Sequence, residues 1–136
     1  MEEKLRFIDE EYLNDFNHLD IDSSIVEQKV FEEPVEIHKE FSITDAEPLE
    51  DNSYLSLNCA MENNLDREEY IAWQVIDYAL CTAPGAMLKQ TLIDAGVGKD
   101  VYSQYDNGVK QPYFSIISKG TEADKKEQFL SIIEKV

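Results

Sequence analysis

The stretch from Asp66 to Lys119, DREEYIAWQVIDYALCTAPGAMLKQTLIDAGVGKDVYSQYDNGVKQPYFSIISK, decides the fold class of this 136-residue chain. It reads as two helices joined at a Pro-Gly corner and followed by a β-hairpin. Asp66 is an N-cap with Glu69 three residues on, the spacing of a capping box. Ile71, Val75, Tyr78 and Ala79 then recur at helical spacing, and Ala72, Ile76 and Leu80 widen that apolar face with Trp73 beside it. Thr82-Ala83-Pro84-Gly85 stops the first helix. Pro84 is expected to open the second, because proline in a first turn gives up no helical hydrogen bond. Leu88, Leu92 and Ala95 share one side of that second helix, which should end at Gly96, a natural C′ residue. Val101–Tyr105 and Tyr113–Ile117 follow as strands. Asn107-Gly108 between them predicts a type I′ turn, in which both residues take positive φ.

Working outward, Ile37, Phe41 and Ile43 lie on one side of an expected strand. A polar, Pro-containing turn from Thr44 to Asn52 leads to another, in which Leu55, Leu57 and Cys59 alternate with Tyr54, Ser56 and Asn58. Thr121 with Asp124 is expected to cap a last helix that buries Phe129, Leu130, Ile133 and Val136. At the other end Leu5, Ile8, Tyr12 and Phe16, extended by Leu13, form the apolar stripe of a helix of about fifteen residues, with Glu2, Glu3, Glu10 and Glu11 opposite. Such a stripe needs a covering surface. From His18 to Pro34 no period persists, and Pro34 favours an extended, acid-rich linker. The order α, linker, β-β-α-α-β-β-α predicts an α+β fold, an antiparallel sheet with helices on one face.

The net charge of −17 is unevenly placed: residues 1–66 carry −15 and residues 67–136 carry −2. Acidity thus belongs to the N-terminal half, as a solvated helix face and linker rather than a DNA mimic. It argues against nucleic-acid and membrane partners, which call for basic patches. The chain opens with no basic segment before an apolar run, and no apolar stretch approaches spanning length. Cys59 and Cys81 are the only cysteines. They read as reduced thiols of a cytoplasmic protein, both small buried hydrophobes.

Few residues suggest chemistry. His18 and His38 stand apart, and neither H-E-x-x-H nor H-x-x-E-H occurs, so no helical zinc pair is formed and no metal ligand or catalytic residue is assigned. Asp20-Ile21-Asp22-Ser23-Ser24 starts like a calcium loop. It then has Ile25 where glycine is needed and Phe31 where a bidentate Glu is needed. Gly96-Val97-Gly98-Lys99 lacks the spacing and the hydroxyl residue of a phosphate loop. No serine is paired with a visible base.

The segments EEKLRFIDEEYLNDF, YLSLNCAMENN and YIAWQVIDYALCTAPGAMLKQTLIDAGVGKDVYSQYDNGVKQPYFSIISKG resemble the presequence-protease branch of the insulinase (pitrilysin-like, inverzincin) zinc metallopeptidases. The family builds a long chain from four homologous α+β domains that enclose a peptide-degrading chamber, with its zinc ligands in the first. The resemblance implies that residues 1–17 are the C-terminal helix of a preceding catalytic domain, 18–35 an acidic linker, and 36–136 the first part of a non-catalytic second domain. The zinc motif would lie upstream, so zinc belongs to the parent enzyme and this segment is not itself catalytic.

The resemblance further implies a role as chamber wall in a zinc metalloendopeptidase that degrades short unfolded peptides, with the remaining domains of the parent and extended peptides as partners. In insulin-degrading relatives the second domain anchors the substrate's N-terminal end at a glycine-containing corner and a following strand. The matching positions are Ala83, Pro84 and Gly85, and Val101, Tyr102, Ser103 and Gln104; the relatives have glycines where this chain has Ser103 and Gln104. A self-standing acidic module that captures peptides by adding them to a sheet edge is the alternative reading.

Overall fold

Alternation of Leu55 and Leu57 with Tyr54 and Ser56 does form a strand, β1 (Ser53–Ala60), with the leucines turned inward. The computed structural model describes residues 1–63 and 66–136. β1 joins β2 (Asp100–Asp106) and β3 (Tyr113–Thr121) in an antiparallel sheet of order β1-β3-β2. The register stacks Leu57, Ile116 and Ser103 in one row and Cys59, Phe114 and Tyr105 in the next. That face carries the helices. Ser56, Ile117 and Tyr102 form a row on the other face. The α+β class predicted from sequence is the class observed.

The helices are α1 (Glu2–Ile8), α2 (Arg67–Asp77), α3 (Met87–Asp94) and α4 (Lys126–Ile133). α1 runs on into a π turn over Asp9–Leu13, and α2 into one over Tyr78–Thr82. Asp66 caps α2 as expected, its carboxylate accepting from the N–H groups of Glu68 and Glu69. Glu69 does not close a capping box; it accepts from Trp73 Nε1 at 3.3 Å. Gly96 (φ +70°) ends α3 in a Schellman motif: Val97 N–H donates to Leu92 O and Gly96 N–H to Ile93 O. Val97 and Leu92, the apolar pair of that motif, are both fully buried. With Cys81, Leu88, Val101, Phe114, Ile116 and Phe129 they make the core.

Several expectations need correction. α2 turns a different face inward. Tyr70, Trp73, Asp77 and Leu80 face the sheet, while Ile71, Val75 and Tyr78 are more than half exposed. Trp73 decides this, its ring lying against Phe114 (centroids 5.5 Å apart) and stacking on Tyr105 at 6.4 Å. Pro84 does not open α3. Ala83-Pro84-Gly85-Ala86 is a turn closed by Ala86 N–H to Ala83 O at 2.9 Å, with Gly85 at φ +75°, and the helix begins at Met87. This is type II geometry, in which proline and then glycine are favoured.

Asn107-Gly108 is not a type I′ turn. β2 and β3 part at the Asp106–Tyr113 pair, and neither Asn107 nor Gly108 has positive φ. Asp106 shapes the longer loop instead, accepting from Gly108 N–H and from the Tyr113 hydroxyl. Thr121 does not cap α4. It is the last residue of β3, and a 3-10 turn over Ala123–Lys125, which contains Asp124, leads into the helix. Phe129 is buried there as expected, whereas Val136 is exposed.

Ile37–Ile43 forms no strand: no main-chain hydrogen bond among the described residues joins it to the open edge of β1. Phe41 instead meets Tyr54 edge-on at 5.5 Å. Cys59 is exposed and only Cys81 is buried. The α1 stripe of Leu5, Ile8, Tyr12 and Leu13 is uncovered, as its sequence implies for a helix with no facing surface.

Candidate functional site

The two halves of the candidate anchoring site sit on one side of the molecule. α2, its π turn and α3 pack chiefly over β2, so the Ala83-Pro84-Gly85 turn belongs to the β2 side of the sheet. The seam between them is polar. Ser103 Oγ donates to Asp77 O at 3.1 Å, with the Cys81 thiol beside it. Burial pushes the Cys81 thiol up, with the Ser103 contact opposing that shift only in part. This seam was missed from the sequence, although the i, i+4 spacing of Asp77 and Cys81 already places them on one helix face.

β2 is an edge strand, so one side of its main chain has no neighbouring strand among the described residues. Met61 N–H donates to Pro112 O at 2.8 Å, and this sets the phase of the ladder. Alternation then directs Leu57 and Cys59 at β3, and from the other side Tyr102 and Gln104. Val101, Ser103 and Tyr105 turn their N–H and C=O groups outward. Val101 N–H is taken by Asp100 Oδ1 at 2.9 Å. Among the four strand residues matched to the relatives, Ser103 therefore offers the open edge, Val101 is fully buried, and Tyr102 is exposed on the face without helices.

His18 and His38 are not brought together. His38 is exposed and its Nε2 lies 2.8 Å from Glu36 Oε1. Lys126 Nζ sits 2.6 Å from the other oxygen of Glu36 and, with His38, holds that carboxyl below its usual range. Among the described residues, no three His, Cys, Asp or Glu are grouped to hold a metal, and no helix is long and apolar enough to cross a membrane.

An antiparallel sheet carrying helices on one face defines an α+β fold. The chain belongs to the peptidase M16 inactive-domain family, which matches residues 2–136. It is also similar to Protein HypA of Clostridium perfringens (strain 13 / Type A), 41% identical over 132 residues. The matched region is 97% of this chain and 14% of that relative's length.

Proposed function

We propose that this chain is a non-catalytic segment of a zinc metalloendopeptidase of the presequence-protease branch, one that degrades short unfolded peptides. In this reading it forms chamber wall and anchors the N-terminal end of an extended substrate. Zinc and the catalytic groups belong to the remaining domains of the parent, with which this segment packs. Membership of the M16 inactive-domain family supports the coarse role. The observation that carries the finer one is the open edge of β2, the strand contacted by the two helical segments that flank the Pro84-Gly85 turn. Such an edge pairs with peptide main chain whatever the side chains, which suits a broad substrate range.

The test belongs in the full-length parent. Ser103→Pro removes an outward N–H while sparing the β2–β3 ladder, whereas proline at Gln104 would break that ladder. Ser103→Pro should raise KM for long peptides more than for peptides too short to reach from anchor to zinc. Equal effects on both lengths would reduce the stretch to ordinary wall.

A further inference from the structure

The linker before β1 is tied down at two places and free between them. At one end the Gln111 side-chain amide pairs with the main chain of Gln28, accepting its N–H at 2.5 Å and donating to its carbonyl at 3.3 Å. Lys110 Nζ donates to Ile25 O at 2.6 Å beside it. At the other end Glu36 holds Lys126 at 2.6 Å. Gln111 lies by the Ala60 end of β1, because Met61 N–H reaches Pro112 O, and Phe41 reaches Tyr54 at the opposite end. The linker therefore passes β1 antiparallel, along the edge that β3 leaves open.

Its length suits that path. Residues Gln28–Glu36 reach about 30 Å when extended, against about 26 Å for β1. Yet no main-chain hydrogen bond among the described residues joins linker to strand, and Val30 is 93% exposed. The strap stands off. Between it and β1 lies a cleft of about 730 Å³, lined by residues 27–34 on one side and 57–63 on the other.

The ladder phase turns the main-chain N–H and C=O groups of Asn58 and Ala60 into this cleft. Its charge is one-sided: Glu32, Glu33 and Glu62 line it against Lys29, while Glu27 is paired with Lys110 at 3.7 Å. The strap makes a poor fourth strand itself, since Pro34 has no N–H to give. We propose that the cleft binds an extended, lysine- or arginine-rich peptide segment, which adds to β1 as a fourth strand beneath the linker strap. The main chain of Asn58 and Ala60 supplies pairing, and the glutamates supply the preference for basic side chains. This site lies on the opposite edge of the sheet from β2 and stands independently of the anchoring role proposed there.

Cys59 gives a local readout. It lines the cleft and is exposed, whereas Cys81 is buried with its thiol pushed up, so alkylation of the folded chain reports Cys59. The probes are three synthetic peptides: alternating Lys-Val, alternating Glu-Val, and the Lys-Val peptide interrupted by a central proline. Saturating Lys-Val peptide should slow Cys59 alkylation by at least about fivefold, and about 0.5 M salt should restore the rate. The Glu-Val and proline-broken peptides should protect little. Glu32→Lys with Glu33→Lys changes two exposed linker residues, spares both tie points, and should weaken protection by the Lys-Val peptide. Unchanged alkylation with every peptide would overturn the proposal. Equal protection by Lys-Val and Glu-Val peptides, or by the proline-broken one, would also overturn it, showing non-specific coverage of an apolar cleft.

Discussion

Gly98 and Ser118 pack so closely that a Cβ on Gly98 would fall 2.0 Å from Ser118 Oγ. Ser118 is fully buried, and its hydroxyl donates to Val97 O at 2.8 Å. That contact ties the loop after α3 to the central strand. Gly98 is thus fixed by a close approach, with no positive φ involved. Gly98→Ala should cost about 1–3 kcal/mol, as overpacking does. Adding Ser118→Ala should recover part of the loss in urea denaturation. An unaltered midpoint for Gly98→Ala would show that the loop yields freely.

Gly108 should behave in the opposite way. Its φ is not positive, and an added Cβ would meet nothing nearer than Asp106 Oδ1 at 3.6 Å. Gly108→Ala should leave stability within about 0.5 kcal/mol, as surface substitutions usually do. A loss above 1 kcal/mol, measured by the same denaturation, would point back to the type I′ turn that Asn-Gly predicts.

Trp73 and Val75 test which face of α2 is buried. Trp73 touches Phe114 and Tyr105, whereas Val75 is 60% exposed. Trp73→Ala should destabilise by about 2–4 kcal/mol, discounted from full burial, and remove most of the near-ultraviolet aromatic signal. Val75→Thr should cost no more than about 0.5 kcal/mol. In the isolated chain, a larger loss for Val75→Thr than for Trp73→Ala would contradict the observed packing.

Asp100 supplies an acid-dependent term. Lys89 Nζ lies 2.9 Å from its carboxylate and, by hydrogen bonding, holds the carboxyl below the usual 3.8. A lowered folded value means that the contribution is present above 3.8 and lost as pH falls through the folded value. Both partners are more than a third exposed, which limits the pair to under about 1 kcal/mol. Asp100→Asn should therefore be less stable than the parent near neutral pH, with the gap closing in acid. Denaturation midpoints that stay equally far apart at pH 7 and about pH 2 would exclude this origin.

Several features were legible in the sequence because their physics is local. Asp66 caps α2 through the next two N–H groups, and Gly96 ends α3 because its φ of +70° suits a residue without Cβ. Alternation in β1 put Leu55 and Leu57 on the correct face, since side-chain direction follows from the strand itself. Family resemblance likewise rested on contiguous segments, which the M16 inactive-domain match covers.

Other features depended on partners that no local pattern specifies. α2 carries apolar residues around most of its surface, so only Trp73 meeting Phe114 and Tyr105 decides which stripe is buried. Asn107-Gly108 is a sound turn signal, but Asp106 and Tyr113 hold a longer loop open around it. Cys59 alternates like a core residue yet lies where β1 has no cover. The two open edges, and so both proposed peptide sites, follow from the strand order β1-β3-β2. Strand order is settled by which hydrogen-bonding edges meet after the chain collapses, and main-chain groups are alike at every residue but proline. The sequence by itself determined where elements start, stop and alternate; tertiary structure decided which faces were buried and which edges stayed open.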